Sequence, residues 1–459
     1  MIQNTRAVTF GYYAYTDIGA GPSVKIAVVG KDKTNKNFEV KSYMAGKVFP
    51  EGKLLTNKQT AGDEFAQALT HRYTQAITAA KPTLAPNDKQ LEGIVITTAG
   101  APTPKGVIPV MSNAKLDLAS EKNLPLEQKS SIKNIPLFKL PNLLTEKQVA
   151  LSSQQTFKFS AYNDMGGGTA YARHVLKNDI KPGETWTYFM AGTGLGVSKI
   201  AHNKLDNTTT LEFSEAGHTP IAPADTKTGE VQTIESHGAS AIGLTRIFTD
   251  ELKEKDKAIP QTVLDQIKND KNSVIITNEA TYTEFLKKNN INTFDKDAYK
   301  QAATKAIKTY VGMLGRAIAT HTIANNATGA ILGQTNQLSG VMTYVNDNHK
   351  TFEPLVNKYR EKTEHMQGAL LPKDQNNFFM QLLLSSISAY LDSGLHPLSL
   401  NGQFKLRTVP LNDNTVGGPY LLDGESIDNK NARIRIPDKA FNQRPITLPD
   451  KPQPFSSAV

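Results

Sequence analysis

The amino-acid sequence predicts an α/β protein of two lobes, each built on a mixed sheet flanked by helices, with a ligand cleft between the lobes. Three observations predict this class. Apolar strands alternate with amphipathic helices along most of the chain, as is typical of α/β proteins. Glycine-rich turns at 17–21 and 192–196 each join two apolar strands. A long periodic helix at 297–325 runs directly into the apolar strand 330–332.

The first part of the chain supplies a hairpin, a third strand, a helix and a buried strand. Apolar runs or apolar and polar alternation predict the strands. The helix has acidic residues in its first turn, where the helix dipole favours them, and Pro82 ends it. The last strand ends in small residues, the pattern of a buried strand that leads into an active-site loop. The predicted elements are strands 12–17, 25–30 and 38–42, helix 60–81 and strand 93–98.

Residues 115–140 are rich in Lys, Pro, Leu and Asn without periodicity, so we interpret them as an irregular excursion outside the core. The α/β pattern then resumes, in strand 157–163, helix 167–176, and strands 185–191, 197–202 and 208–213. Prolines in the last 30 or so residues indicate an extended arm or tail. The predicted division is a small lobe at 1–162, a large lobe at 163–424 and an arm at 425–459, with the return of the large lobe's last part to the small lobe left open.

The composition is that of a soluble globular protein, with 459 residues, 39% of them hydrophobic and 21% charged. A net charge of +9 could serve an anionic partner, but the basic residues are dispersed. A solvated lysine-rich surface is therefore favoured over a nucleic-acid site. The absence of cysteine excludes disulfides, a thiolate nucleophile and cysteine-ligated zinc. No apolar stretch has signal-peptide or membrane-spanning length, so we expect a cytoplasmic protein without membrane contact.

The two glycine turns have the chemistry of a phosphate clamp. Phosphates bind backbone N–H groups at close range, and glycine permits both the backbone angles and the approach. Asp17 in the first turn is suited to Mg²⁺ coordination through water. Each turn alone is better explained as an ordinary hairpin, but the pair indicates a nucleotide clamp. The candidate phosphate-binding residues are Asp17, Gly19, Gly21, Gly192, Thr193, Gly194 and Gly196.

Asp164 is the candidate general base. It follows Asn163 at the end of a predicted strand and precedes Met165 and three glycines, which leave room for a ligand. In phosphoryl transfer to an alcohol, such a carboxylate accepts the hydroxyl proton, while alignment and charge neutralisation supply most of the catalysis. The alternative, equally open from the sequence, is that Asn163 and Asp164 cap the next helix.

A further polar group follows at Glu215, His218 and Glu235. Carboxylates and a neutral imidazole supply the directional acceptors that a polyhydroxylated sugar needs. A metal site with His218 and His237 as ligands is the weaker alternative, because no other His or Cys completes a set at ligand spacing.

Six short patches, in a particular order, carry a family resemblance. They are TDIGAGPSVK at 16–25, ITTAGAP at 96–102, YNDMGGG at 162–168, MAGTGLGVS at 190–198, SEAGH at 214–218 and TGAILGQ at 328–334. With these patches the chain resembles sugar kinases of the hexokinase and actin superfamily, and within it the bacterial glucokinases and ROK kinases. The likeness covers roughly residues 16–424.

The resemblance implies a ribonuclease H-like (actin-like ATPase) fold and ATP-dependent phosphorylation of a hexose at its primary hydroxyl, with glucose the expected acceptor. ATP and Mg²⁺ are the implied cofactors. Asp164 is then the general base, Asp17 the residue for Mg²⁺, and Gly333 part of the adenosine site. The implied sugar contacts are Asn113, Asn163, Glu215, His218 and Glu235.

The sequence departs from the family pattern at several points. The first motif has Gly21-Pro22-Ser23 where Gly-Thr is usual, and Gly333-Gln334 replaces a Gly-Gly pair. The zinc-binding cysteines of many ROK proteins are absent, so no zinc is expected. The open alternatives are a kinase for another hexose or an N-acetylhexosamine, and a sugar-binding regulatory protein with weak or no transfer. Whether the donor is ATP or polyphosphate, and whether the chain forms a homodimer, also stays open.

Overall fold

A computed structural model of the chain describes most of its length. The described residues are 11–19, 23–31, 38–49, 55–85, 89–100, 102–124, 128–153, 157–205, 209–214, 216–221, 231–270, 273–358, 367–392, 404–410, 417–421 and 446–447. The chain divides into two units, of which unit 1 is Met1–His174 with Asp413–Val459 and unit 2 is Val175–Asn412. The predicted mixed α/β class is confirmed. The lobe boundaries at 162 and 424 stay predictions.

The helices and strands are numbered in chain order. The strands are β1 Tyr12–Ile18, β2 Ser23–Lys31, β3 Phe38–Lys47, β4 Leu91–Thr98, β5 Val107–Lys115, β6 Ser131–Pro136, β7 Lys158–Asn163, β8 Thr185–Ala191, β9 Leu195–His202, β10 Thr209–Ser214, β11 Gly329–Gln334, β12 Lys405–Pro410 and β13 Ile446–Thr447. The helices are α1 Ala61–Ala80, α2 Leu140–Glu146, α3 Met165–Val175, α4 Ala241–Lys255, α5 Gln261–Asp270, α6 Val274–Thr277, α7 Glu279–Lys288, α8 Lys296–Ala324, α9 Asn336–Asp347, α10 His349–Lys358, α11 Pro372–Gln375, α12 Phe378–Asp392 and α13 Gly418–Leu421. A π-helical turn, Glu235–Ala239, precedes α4 and is called the π turn below.

Unit 1 is built on a six-stranded mixed sheet in the order β13-β3-β2-β1-β4-β7. Strands β1, β2 and β3 pair antiparallel, whereas β1, β4 and β7 are mutually parallel. Helix α1 covers the sheet with Phe65, Leu69 and Tyr73, which are fully buried. The predicted hairpin, third strand, helix and buried strand are therefore confirmed, to within a few residues at each end.

Part of the segment 115–140 belongs to the core, so its interpretation as an irregular excursion was wrong. Strand β6 pairs antiparallel with β5, and Ile132 and Ile135 are buried. Asn134 lies between them with φ at 53°, a left-handed conformation that breaks the two-residue alternation of a strand. This local turn explains why the sequence shows no strand periodicity here. The backbone of Asn134 also approaches α1 closely, since a Cβ on Gly62 would lie 2.6 Å from the Asn134 carbonyl oxygen.

Unit 2 is built on a five-stranded sheet in the order β10-β9-β8-β11-β12, in which β8, β11 and β12 are parallel. Helices α4 and α8 pack on it through a continuous apolar core that includes Phe248, Ile307 and Leu314. Helix α8 is 29 residues long, as its periodicity predicts. Along the part of the chain that the structure describes, no helix combines the length and hydrophobicity needed to cross a bilayer.

The segment 417–421 packs against the start of unit 1. A Cβ on Gly417 would lie 1.7 Å from the Gly167 carbonyl oxygen, and one on Gly418 would lie 2.3 Å from the Tyr15 ring. Only glycine allows the backbone so close. The Tyr162 hydroxyl donates to the Leu421 carbonyl oxygen at 3.0 Å. Most of the predicted arm, 425–459, lies outside the described residues, while β13 pairs with β3.

His321 near the end of α8 predicts a pH dependence of stability. Burial lowers the pKa of His321, and its ring lies edge-on to Phe189 with the centroids 6.3 Å apart. Folding favours the neutral ring, so the unfolded chain binds the proton more readily. Stability is then lost as the pH falls below the ordinary histidine value of about 6.5. We expect His321→Phe to reduce the drop in melting temperature between about pH 7.5 and about pH 5.5.

His349→Phe is the matched control, because His349 is exposed and also lies edge-on to an aromatic ring, that of Phe378, at 5.9 Å. This variant should keep the wild-type pH dependence. If the melting temperatures of His321→Phe and wild type fall by the same amount on acidification, His321 is not the source of the pH dependence.

Candidate active site

Asp17 and Asp164 lie along one edge of the unit 1 sheet. In the parallel register Asp17 is level with Thr97, and Thr98 is level with Asn163. Neighbouring strands are about 4.8 Å apart, and Asp164 lies two residues beyond the level of Asp17, so the two Cα atoms are about 12 Å apart. The carboxyl ends of parallel strands are where α/β sheets bind ligands. The structure thus brings together two predicted site residues that are distant in the sequence.

Asp17 is only 4% exposed and is held by polar partners. The Thr97 hydroxyl donates to its Oδ1 at 3.1 Å, and the Lys25 ammonium lies 3.4 Å from its Oδ2. A buried carboxylate requires such partners, because burial removes its hydration. Thr97 was not among the predicted site residues. The sequence feature that could have indicated Thr97 is the pair of hydroxyl residues, Thr97-Thr98, that ends the otherwise apolar strand β4.

Asp164 follows β7 directly and is half-buried. Its backbone N–H donates to the Thr98 carbonyl oxygen at 2.8 Å, which continues the pairing of β7 with β4 by one residue. The Asn163 side chain accepts a hydrogen bond from the Met165 N–H at 3.0 Å. Asn163 therefore performs the helix capping that the sequence left open. Its sugar contact and the catalytic role of Asp164 stay predictions.

The first glycine turn and Asn113 are described only in part. The Gly19 N–H donates to the Ser23 carbonyl oxygen at 3.0 Å, which closes the hairpin, but Gly21 at its tip lies outside the described residues. Asn113 lies in β5 between Met111 and Lys115, where the register shifts, and its side chain is also outside them. The phosphate and sugar roles of these residues are therefore untested.

In unit 2 the second glycine turn joins β8 to β9 and lies beside the end of β11. The Gly192 N–H donates to the Gly194 carbonyl oxygen at 2.9 Å. The Thr335 hydroxyl, just after β11, donates to the Ala191 carbonyl oxygen at 2.5 Å, and the Thr335 N–H donates to Gly333. The predicted Gly333 is thus close to the second glycine turn, through a threonine that was not predicted.

The N-terminus of α4 also meets this turn. The Ala241 N–H donates to the Gly192 carbonyl oxygen at 2.9 Å. The Ile242 N–H donates to the Thr193 carbonyl oxygen at 3.5 Å. The Ser240 side chain caps the helix by accepting from the Gly243 N–H. These bonds satisfy the first N–H groups of α4, which a helix cannot satisfy by itself, and fix the helix to the glycine turn.

Glu235 in the π turn reaches back to the second glycine turn. The Leu195 N–H donates to its Oε2 at 3.0 Å, while His218 Nε2 lies 3.8 Å from its Oε1. A Cβ on Gly194 would lie 2.8 Å from Oε2, and one on Gly217 would lie 2.6 Å from it. Two glycines are therefore needed for the carboxylate to approach. Glu235 joins the predicted sugar segment to the predicted phosphate turn through direct contacts.

The remaining predicted residues are placed as follows. His218 is exposed, with 67% of its side chain accessible, and Gly196 lies in β9. Glu215 lies outside the described residues. Across the part of the chain that the structure describes, no group of three or more His, Asp or Glu side chains is arranged to hold a metal ion. That finding concerns metal sites made by protein side chains alone.

No family model matches the sequence, and no curated protein sequence matches it. Several solved structures are similar to it. A ROK family transcriptional regulator, described as a homolog of an E. coli protein, has a TM-score of 0.50 at 12% identity over 90% of this chain and 77% of that chain. Glucokinase from Balamuthia mandrillaris, in complex with glucose, has a TM-score of 0.49 at 16% identity over 92% of this chain and 96% of that chain.

A ROK family glucokinase from Streptomyces griseus, in complex with glucose and AMPPNP, has a TM-score of 0.43 at 14% identity. The similarity covers 90% of this chain and 97% of that chain. At such identities the comparisons concern the fold. The protein has the actin-like ATPase fold of the ROK proteins, as its sequence motifs predict.

Proposed function

We propose that this protein is an ATP-dependent hexose kinase that phosphorylates a primary hydroxyl, with glucose as the expected acceptor and glucose 6-phosphate as the product. The observation that carries the proposal is the shared sheet edge of Asp17 and Asp164, set by the parallel register of β1, β4 and β7. The order of the six sequence motifs and the polar contacts of the second glycine turn support it further.

Asp164 acts in this proposal as the general base. Its carboxylate accepts the proton of the primary hydroxyl as that oxygen forms a bond to the γ-phosphorus of ATP. The bond from the γ-phosphorus to the bridging oxygen breaks, and ADP leaves with its electron pair. Asn163, His218 and Glu235 hold the sugar hydroxyls, together with the predicted contacts Asn113 and Glu215. The backbone N–H groups of Thr193 and Gly194 bind phosphate oxygens, since those of Gly192 and Leu195 already donate within the protein.

Asp17 is the residue that would serve Mg²⁺. Its setting fits that ion, because Mg²⁺ usually takes one or two protein carboxylates and fills its other positions with water and substrate phosphates. When bound, Mg²⁺ neutralises phosphate charge. Lys25, 3.4 Å from the Asp17 carboxylate, supplies a second positive charge at the same sheet edge.

ADP release with glucose, ATP and Mg²⁺ tests the proposal. We expect release that depends on the sugar, and a panel with mannose, fructose and N-acetylglucosamine identifies the preferred acceptor. Replacing ATP by polyphosphate, with glucose 6-phosphate as the measured product, identifies the donor. Absence of sugar-dependent ADP release with every sugar of this panel would contradict the proposal, whether or not a sugar binds.

A sugar-binding regulatory protein is the alternative function. It is favoured by the ROK family transcriptional regulator among the similar structures and by the altered first phosphate motif. Calorimetric binding of a sugar without any ADP release would support this alternative and exclude the kinase.

A further inference from the structure

A group of basic side chains in unit 2 has no part in the proposed transfer. It comprises Arg246 on α4, Arg316 on α8 and His237 in the π turn, all half-buried. Arg246 lies five residues after Ala241, the residue that bonds the second glycine turn, so it is about 7 Å further along the helix. Arg246 is therefore separate from the predicted phosphate turn.

The packing of three elements brings these side chains together. Gly238 of the π turn is in contact with both helices: a Cβ on Gly243 of α4 would lie 2.4 Å from its N atom, and its own Cβ would lie 3.3 Å from Met313 of α8. Arg246 follows Gly243 by three residues, and Arg316 follows Met313 by three. A helical side chain points back over the preceding turn, so both arginines extend toward Gly238, the neighbour of His237.

Two polar side-chain atoms of this group have no hydrogen-bond partner among the described residues. Arg246 Nε and His237 Nδ1 are buried without a hydrogen bond. Asp250, one turn after Arg246, instead binds Lys268 at 2.7 Å. Arg316 lies over the Tyr390 ring, 5.3 Å from its centroid, and a guanidinium stacked in this way keeps its in-plane N–H donors free.

Unpaired buried donors are costly, and two arginines beside one imidazole repel one another unless an anion joins them. Burial, together with the charges of Arg246 and Arg316, lowers the pKa of His237, which agrees with an excess of positive charge here. Planar guanidinium groups match the oxygens of a phosphoryl group in bidentate fashion. The orphaned ring nitrogen of His237 adds one further donor.

We propose that Arg246, Arg316 and His237 form a binding site for the phosphoryl group of a small molecule, separate from the proposed site of transfer. Inorganic phosphate and a hexose phosphate share the chemistry that this site recognises. Because His237 stands two residues from Glu235 in the π turn, a bound anion would contact the same turn that carries Glu235. This inference goes beyond the proposed kinase function and does not require turnover.

Calorimetric titration of the full chain with inorganic phosphate, and separately with glucose 6-phosphate, tests the site at constant ionic strength. We expect Arg246→Gln combined with Arg316→Gln to weaken phosphate binding at least tenfold. Phosphate should also raise the melting temperature of wild type, because it binds the folded state, and this increase should disappear in the double variant. Lys300→Gln, an exposed lysine on the same helix, should behave as wild type.

The double variant is expected to fold, since what it loses is the contact of Arg316 with the Tyr390 ring and no salt bridge of either arginine is among those of the described residues. If it does not, Arg316→Lys keeps the charge but removes bidentate binding, and a loss of at least threefold in phosphate affinity is expected. Tighter binding of glucose 6-phosphate than of phosphate would identify a sugar phosphate as the ligand. Equal phosphate affinity in wild type and the arginine variants, or no measurable phosphate binding to wild type, overturns the proposal, whatever the outcome of the kinase assay.

Discussion

Asp164→Asn is expected to lower kcat for sugar phosphorylation by about two to four orders of magnitude, the usual contribution of a general base. Asparagine keeps the size of the side chain and can still accept a hydrogen bond, but it cannot take a proton at neutral pH. The backbone bond from residue 164 to Thr98 does not involve the side chain, so the sheet edge should remain intact. The ADP-release assay measures kcat, and calorimetry measures sugar affinity.

Sugar affinity should remain within a few-fold of wild type in Asp164→Asn, because the base acts on the transition state more than on binding. Asp164→Ala should lose the same activity. Asp63→Asn, at an exposed acid on α1 that pairs with Lys139, is the control and should keep wild-type kcat. An unchanged rate in Asp164→Asn would remove the general-base assignment.

Glu235→Ala is expected to weaken both glucose and nucleotide binding, each by about tenfold or more. The sugar loses a carboxylate acceptor, and the Leu195 N–H in the second glycine turn loses its hydrogen bond. Hydrogen bonds to charged groups contribute about 1.5–3 kcal/mol, and about 1.4 kcal/mol corresponds to a tenfold change in affinity. Separate titrations with glucose and with AMPPNP measure the two effects.

Glu235→Gln separates these two roles, because its carbonyl oxygen can still accept from Leu195. Nucleotide affinity should then stay within about threefold of wild type while sugar affinity falls. Hydrogen exchange of residues 190–198 should accelerate in Glu235→Ala but not in Glu235→Gln. Glu212→Ala, at an exposed glutamate paired with Lys199, is the control. If Glu235→Ala leaves both the AMPPNP affinity and the hydrogen exchange of residues 190–198 unchanged, Glu235 has no role in the second glycine turn and contacts only the sugar.

The parts of the fold that could be predicted are those in which one pattern dominates. Strand β4 is an unbroken apolar run, and α8 repeats its apolar residues at helical spacing over 29 residues. Strand β6 was missed because Asn134 adopts a left-handed conformation and so separates its two buried isoleucines by three positions. The backbone of Asn134 lies close to Gly62 of α1, a tertiary contact that no local sequence pattern indicates.

The candidate site was predictable to a similar extent. Glycine turns and the acid after β7 are visible as sequence motifs, because their chemistry requires particular residues next to each other. Thr97 and Thr335 were missed because a threonine at a strand end has many ordinary explanations. Arg246 and Arg316 were missed for another reason: each is one polar residue on an amphipathic helix, and only the packing of that helix shows where its side chain extends.

The return of residues 417–421 to α3 and β1 has a consequence for biosynthesis. Gly417 and Gly418 pack against Gly167 and Tyr15, so unit 1 takes up a segment that is synthesised only after the whole of unit 2. Unit 2, which is continuous from Val175 to Asn412, can complete its own packing earlier. Unit 1 therefore gains its contacts with the closing segment only after unit 2 has been synthesised.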